Sequence, residues 1–317
     1  MGKDVLHLLK FPGAFFKPCP GTREYICCGY QILNLATNCP LDCSYCVLQA
    51  YINQPNLRVF VNYEEALQQS LDAIDAQPER VFRVGTGEFT DSLALDPLTG
   101  WTNRLVSAFS RRKNAVLELK TKTTAIKGVL ASEQRDRIIL SWSLNSPYIV
   151  SREEHGAPGL RKRLEAARTC QREGFVLGFH FDPLIPHRGW RDGYLRTMEL
   201  LDRYIDPRGI IWISLGALRF MPALKSIIRL RHPHTTILDG EFITGLDGKR
   251  RYFKPIRMDL YGFLRENLEA WHSDLGLYLC MESDDVWKKS MGWSPTDSQG
   301  LGQYLDARVG LIFGGHD

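Results

Sequence analysis

The sequence predicts an α/β fold: an open, partial (βα)6 barrel of the TIM type with a C-terminal appendage. Three observations predict it. Apolar, β-rich runs alternate with helical patterns from residue 31 to about residue 230, as in a parallel sheet with crossover helices. There are six such units, too few to close an eight-fold barrel. No repeat, low-complexity tract or Ser/Gly linker interrupts the alternation. Residues 1–30 read as an N-terminal extension, 31–231 as the barrel, and 232–317 as an appendage packing on it.

In order, the strands are expected at 31–36, 80–85, 115–121, 137–145, 175–182 and 210–218, each rich in Val, Ile, Leu or aromatic residues. The first helix has a start signal, since Asn62 can cap it and Glu65 holds the reciprocal capping-box position. Further helices are expected at 102–112, 125–134, 160–172, 190–204 and 222–230. Beyond Arg231 come a Gly-rich basic loop, a helical stretch at 258–274 and a short apolar run at 277–281, which form the appendage.

Composition sets the outer limits. At 317 residues, 44% hydrophobic and 24% charged, the chain suits one large globular domain. No run reaches the roughly 18 apolar residues needed to span a bilayer, and Met1-Gly2-Lys3-Asp4 opens no signal peptide, so a cytoplasmic location without a membrane partner is expected. Eight cysteines are too sparse for a disulfide scaffold and suit reduced thiols. A net charge of +4 permits a nucleic-acid partner without requiring one.

The chemistry concentrates in Cys39-Pro40-Leu41-Asp42-Cys43-Ser44-Tyr45-Cys46, a C-x3-C-x2-C loop. It is one ligand short of a closed tetrahedral zinc site. Three thiolates can instead hold a 4Fe-4S cluster with one iron left open to substrate or cofactor. The competing reading is structural zinc with a distant fourth ligand, or an iron–sulfur centre that is only redox-active. Parallel barrels place their sites at the C-terminal strand ends. There the sequence supplies Gly85-Thr86-Gly87-Glu88 after the second strand, Lys122 after the third, Ser141, Ser143 and Asn145 on one face of the fourth, and His180 and Asp182 on one face of the fifth. His180 and Asp182 read as a satisfied core or cofactor-contacting pair rather than as metal ligands.

The cysteine spacing, with its aromatic residue before the last cysteine, resembles the radical S-adenosylmethionine (SAM) superfamily signature. More specifically, residues 30–205 resemble the spore photoproduct lyase family. The likeness is carried by Cys43-Ser44-Tyr45-Cys46-Val47-Leu48-Gln49, Arg58-Val59-Phe60-Val61-Asn62, Thr90-Asp91 with Asp96 and Leu98-Thr99, and Thr121-Lys122. It continues through Ser143-Leu144-Asn145-Ser146, Arg163 with Glu165-Ala166-Ala167, Gly178-Phe179 and His187-Arg188-Gly189-Trp190. The resemblance implies a radical SAM barrel with a 4Fe-4S cluster on Cys39, Cys43 and Cys46, and SAM at its mouth. It assigns cofactor contacts to Tyr45 beside the adenine, Lys122 on the SAM carboxylate, and Ser143 and Asn145 on strand four. It also implies a one-electron reductant such as flavodoxin or ferredoxin.

Two departures from the family pattern matter. Its hydrogen-donor cysteine is replaced by Glu88, and the tyrosine after the third cluster cysteine by Val47. A carboxyl O–H bond is too strong to replace a thiol S–H, so Glu88 is expected to bind the SAM amino group instead. The sequence therefore predicts a lyase-like radical SAM enzyme of unknown substrate, not an authentic spore photoproduct lyase; the alternative is repair of another nucleic-acid lesion with a different hydrogen donor. Lys249-Arg250-Arg251-Tyr252 resembles the start of the family's DNA-contacting hairpin, which makes Arg250, Arg251, Tyr252 and Arg257 candidate nucleic-acid contacts. Cys19, Cys27 and Cys28 are candidates for an auxiliary metal site, with Cys27 and Cys28 expected at the bottom of the barrel. Cys170 and Cys280 read as small buried thiols.

Overall fold

The computed structural model describes residues 2–22 and 24–314, so Met1, Arg23 and the last three residues of the expected appendage lie outside the described residues. The alternating pattern becomes one open, strongly curled sheet of eight strands. In chain order they are β1 (Phe16–Pro18), β2 (Gln31–Leu33), β3 (Phe82–Gly85), β4 (Ala115–Thr121), β5 (Ile138–Ser143), β6 (Val176–Leu184), β7 (Ile210–Ala217) and β8 (Leu277–Leu279), and chain order is also their order across the sheet. From β2 to β8 every neighbouring pair is parallel, while β1 lies antiparallel on the β2 edge. β5 and β7 are buried along their whole lengths, as expected of parallel strands covered on both faces.

The helix Leu160–Arg172 shows why this happens locally. It buries Leu160, Leu164, Ala167 and Cys170, an i, i+4, i+7 stripe that seats it on the sheet, and Cys170 is the small buried thiol expected of it. The helix Trp190–Tyr204 likewise buries Tyr194, Thr197, Met198 and Leu201.

Several elements differ from expectation for physical reasons. Six parallel strands become seven, because Leu277–Leu279 joins β7 as β8 and covers what would otherwise be an open strand edge. The flanking segments on both sides of residues 31–231 thus supply strands to the barrel sheet. The first strand ends at Leu33; Ala36–Thr37 leaves for a separate small sheet with Leu57–Phe60 and Leu6–Leu9. Asn62 makes no capping bond to the helix Tyr63–Asp75. Its amide is spent on the Phe11 backbone, accepting from N–H at 3.0 Å and donating to C=O at 3.1 Å. The helix expected at 125–134 shrinks to Lys127–Leu130, where Gly128 lets it pass against Asp96: a Cβ there would lie 2.0 Å from Asp96 Oδ2.

The two-residue period brings Glu118, Lys120 and Lys122 to the concave face together with Ser141, Ser143, Gly178, His180 and Ser214. At its floor, Glu118 Oε1 accepts from His180 Nε2 at 2.9 Å, Trp212 Nε1 at 2.9 Å and the Ser141 hydroxyl. Gly178 leaves room for this knot, since a Cβ there would stand 2.5 Å from Ser141 Oγ. Burial alone would raise the Glu118 carboxyl, but the His180 charge and the three donors outweigh it and hold it at about 2.

Glu118→Ala should therefore destabilise the fold by about 3–5 kcal/mol in urea unfolding, because three buried donors lose their acceptor. The sign with pH follows from the depressed value. The Glu118 contribution is complete above the ordinary carboxylate range and is lost as pH falls toward about 2. Acid unfolding of the Ala variant should accordingly be shallower than that of the parent between those limits; superimposable acid transitions would contradict the assignment.

Candidate active site

A cavity of about 650 Å3 opens at the C-terminal ends of the barrel strands. Cys39, Cys43, Cys46, Tyr45, Glu88, Lys122 and Ser143 all line it. The fold brings these seven together and holds the cysteine loop in place. Asn38 takes a left-handed turn (φ 73°) and anchors it by donating to the Pro55 carbonyl at 2.9 Å while accepting from Cys39 N–H at 3.0 Å. Asp42 is bridged to Lys3 at 2.9 Å and to Arg231 at 2.7 Å. Burial pushes its carboxyl up, and hydrogen bonds from Arg231 and Lys3 bring it down to about 2.

The strongest clamp comes from residues that sequence reasoning did not assign. Ser44 N–H donates to the Glu153 carbonyl at 2.8 Å, and its hydroxyl to the Glu153 carboxylate. The Tyr45 hydroxyl donates to Glu154, whose other oxygen is ion-paired with Arg163. Arg163 in turn donates to the Ser143 carbonyl at 2.9 Å. One buried chain of charge thus joins the cysteine loop to the end of β5. Two adjacent glutamates after a short helix, facing a buried arginine, were the available signal. Burial pushes the Cys43 thiol up to about 12 and raises those of Cys39 and Cys46. Among the described residues no group of His, Cys, Asp or Glu already stands in metal-binding geometry.

Asp91 organises the opposite side. Its Oδ1 accepts from Leu93 N–H at 3.0 Å, Ala94 N–H at 2.9 Å and Thr121 Oγ1 at 2.6 Å, and its Oδ2 from Lys122 N–H at 2.8 Å. This ties the loop after β3 to the end of β4 and orients Lys122. The Lys122 ammonium stands 5.8 Å from the centroid of the Tyr45 ring and makes no ion pair among the described residues. Neighbouring Thr90 is only 8% exposed, lines the cavity, and its hydroxyl has no partner among the described residues. A cation without a counter-charge in a partly dry site suits a ligand with an anionic end.

Other expectations need correction. Asn145 does not reach the cavity: its amide donates to the Pro183 carbonyl at 2.7 Å and its Oδ1 accepts from Ser146 N–H at 3.0 Å and the Tyr194 hydroxyl at 2.8 Å, which consumes it inside the fold. Glu88 does not stand free; Lys120 pairs with it at 2.8 Å. Lys120, two residues before Lys122 on the same face, was not assigned. Burial works against its charge, and Glu88 outweighs that and holds the ammonium above its usual value.

Of the candidate nucleic-acid contacts, three turn inward. Arg251 pairs with Asp247 at 2.7 Å and stacks on Tyr25, Arg257 pairs with Glu282 at 2.8 Å, and Tyr252 is buried against Phe242. Short hairpin strands must bury something to be stable, and here they bury Arg251 and Tyr252, while Arg257 is buried on the helix Lys254–Trp271 that follows. Arg250 alone remains partly exposed. His180 is satisfied between Glu118 and Ser214, and Asp182 pairs with Arg219 at 2.9 Å. Cys280, expected simply to be buried, instead lines the cavity, as do Cys19 and Cys28.

A three-thiol loop clamped over the C-terminal strand ends of an open α/β half-barrel defines the class of protein. Within it, the Spore photoproduct lyase family model matches residues 26–254. The spore photoproduct lyase of Bacillus subtilis (strain 168) is 31% identical over 221 residues, covering 68% of this chain and 63% of that one. That of a Geobacillus species is 26% identical over 239 residues, covering 74% and 68%. A solved spore photoproduct lyase mutant with dinucleoside spore photoproduct superimposes with a TM-score of 0.78 at 25% identity, over 88% of this chain and 83% of that one. The chain belongs to the spore photoproduct lyase family. It spans 63% of the length of the B. subtilis relative. Among the described residues no helix is long and apolar enough to cross a membrane.

Proposed function

We propose that this protein is a radical SAM enzyme of the spore photoproduct lyase type, acting on a substrate other than the spore thymine dimer. The observation that carries the reading is the meeting of Cys39, Cys43 and Cys46 in one cavity with Lys122, which has no ion pair among the described residues. The donor set fits the group the family implies: three thiols would hold a 4Fe-4S cluster with one iron open, and Lys122, Ser143 and the Glu88–Lys120 pair offer polar partners for both charged groups of an amino acid. When bound, cluster and SAM supply a 5'-deoxyadenosyl radical on reduction by a one-electron donor such as flavodoxin or ferredoxin. The protein's own contribution is to hold the loop through Glu153 and Glu154, to orient Lys122 through Asp91, and to keep Tyr45 against the Lys122 cation.

Glu88 in the family's hydrogen-donor slot and Val47 in place of its tyrosine argue against clean thymine-dimer reversal. The relatives' dinucleoside ligand keeps another nucleic-acid lesion as the second reading for substrate. Anaerobically reconstituted, reduced protein given SAM should form 5'-deoxyadenosine. Given dinucleotide spore photoproduct as well, it should return far less thymine dinucleotide than an authentic lyase assayed beside it. A fully iron-loaded protein that forms no 5'-deoxyadenosine would instead be a structural or redox iron–sulfur protein, and clean repair at comparable turnover would return the chain to the parent activity.

A further inference from the structure

Three thiols outside the cysteine loop line the same cavity: Cys19, Cys28 and Cys280. They occupy different places. Cys28 lies on the floor beside Arg83, at the N-terminal end of β3, and Cys19 follows β1 at the sheet edge, close to Glu88. Cys280 directly follows β8 on the strand face that carries Tyr278. Tyr278 pairs in register with Ser214, Ser214 with His180 and His180 with Ser143. Cys280 therefore stands one rank above this row, on the mouth side, while Lys122, the residue after the Thr121–Trp142 pair, falls in the row itself beside Ser143.

Its sulfur is also held in place. Arg219 Nη2 donates to Cys280 Sγ at 3.2 Å while Nη2 is itself pinned by Asp182 at 2.9 Å, and Cys280 N–H donates to the Leu215 carbonyl at 2.9 Å. Burial, more than Arg219 offsets, keeps the thiol well above its ordinary value, so it carries its hydrogen at neutral pH.

We propose that Cys280 is the hydrogen-atom donor of this cavity, the group that quenches a carbon-centred radical formed there. The inference rests on the radical reading above. Among the aliphatic, hydroxyl, ammonium and carboxyl groups of the wall, none yields a hydrogen atom as readily as a thiol. The phenols are the nearest competitors, but Tyr45 is tied to Glu154, Tyr278 lies one rank deeper, Tyr30 reaches over Gly85 at the level of Glu118, and Tyr51 is exposed to solvent. In the step, the Cys280 S–H bond breaks homolytically, a C–H bond forms on the substrate-derived radical, and a thiyl radical remains on Sγ. One electron from the same one-electron reductant that primes the cluster, with one proton from solvent, restores the thiol.

The test does not need the natural substrate. Reconstituted protein, SAM and dithionite are mixed in D2O without added thiol, and the 5'-deoxyadenosine is analysed by mass spectrometry. Wild type should place one deuterium in the product, drawn from the exchanged S–D bond. Cys280→Ser, which keeps the volume but offers only a strong O–D bond, and Cys280→Ala should both still cleave SAM while the label falls to background. Undiminished label in both variants, absence of label in wild type, or loss of label in Cys19→Ser or Cys28→Ser instead would overturn the proposal while leaving the radical reading intact. Absence of 5'-deoxyadenosine from iron-loaded wild type would remove the radical reading and this proposal with it. A cofactor-free readout accompanies it: in the folded apo-protein, methylmercury, which displaces the thiol proton and does not wait for a thiolate, should label Cys280 and spare Cys170, and S-adenosylhomocysteine should slow the Cys280 reaction. A Cys280 as inert as Cys170 would show that the thiol does not face the cavity and would overturn the proposal.

Discussion

Replacing Cys39, Cys43 or Cys46 with Ala is expected to abolish the brown chromophore of anaerobically reconstituted protein, whereas Cys170→Ala should leave iron and sulfide content unchanged. An external iron ligand cannot be supplied by the neighbouring groups, since Asp42 is committed to Lys3 and Arg231, and Ser44 and Tyr45 to Glu153 and Glu154. Those commitments also make the result interpretable. The loop is held by hydrogen bonds from Asn38, Ser44, Tyr45 and Gln49 that do not pass through any cysteine side chain, so each variant should keep its far-ultraviolet circular dichroism. Loss of iron with an intact fold assigns the cluster. Full iron and sulfide retention in the triple variant would place it elsewhere, with Cys19, Cys27 and Cys28 the first residues to examine.

Lys122→Met is expected to weaken SAM binding by roughly 2–4 kcal/mol, about 30- to 1,000-fold in Kd, because a carboxylate entering a partly dry site would lose its charged partner. The structure favours Lys122 over Lys120 for that role. Lys120 is paired with Glu88 at 2.8 Å, whereas Lys122 has no ion pair among the described residues and faces the Tyr45 ring, and Asp91 holds its backbone N–H. Glu88→Gln should weaken binding as well, since it removes the partner proposed for the SAM amino group and leaves the half-buried Lys120 without its counter-charge. Calorimetric titration of both variants decides the matter. Unchanged affinity in both would mean that the two ends of the cofactor lie against other residues, and a loss confined to Glu88→Gln would reassign the carboxylate to Lys120.

What the sequence by itself determined was whatever depends on neighbours a few residues apart. The spacing of Cys39, Cys43 and Cys46 keeps three thiols within one short segment. The expected strand at 115–121 and the helices at 160–172 and 190–204 appear with the same ends, because their apolar periods of two and of three to four are local properties. Alternation of these elements was enough for the half-barrel. The same period of two placed Lys122 and Ser143 on the concave face, and it also gathered Glu118 and Lys120 there, although no sequence signal singled them out.

The tertiary structure decided what depends on partners far apart in the chain. Asn145 has the parity of Ser143 but lies past the end of β5, where Pro183 and Tyr194 capture it. Arg251 and Arg257 carry charges that sequence reasoning sends to solvent, but Asp247 and Glu282 fold back to meet them, and a buried charge is stable only with such a partner. Whether Cys280 was a core thiol or a cavity thiol turned on Leu277–Leu279 pairing with β7, more than sixty residues earlier in the chain. That pairing satisfies an open sheet edge, a condition no local window of sequence contains, and it set the sulfur at the mouth of the site.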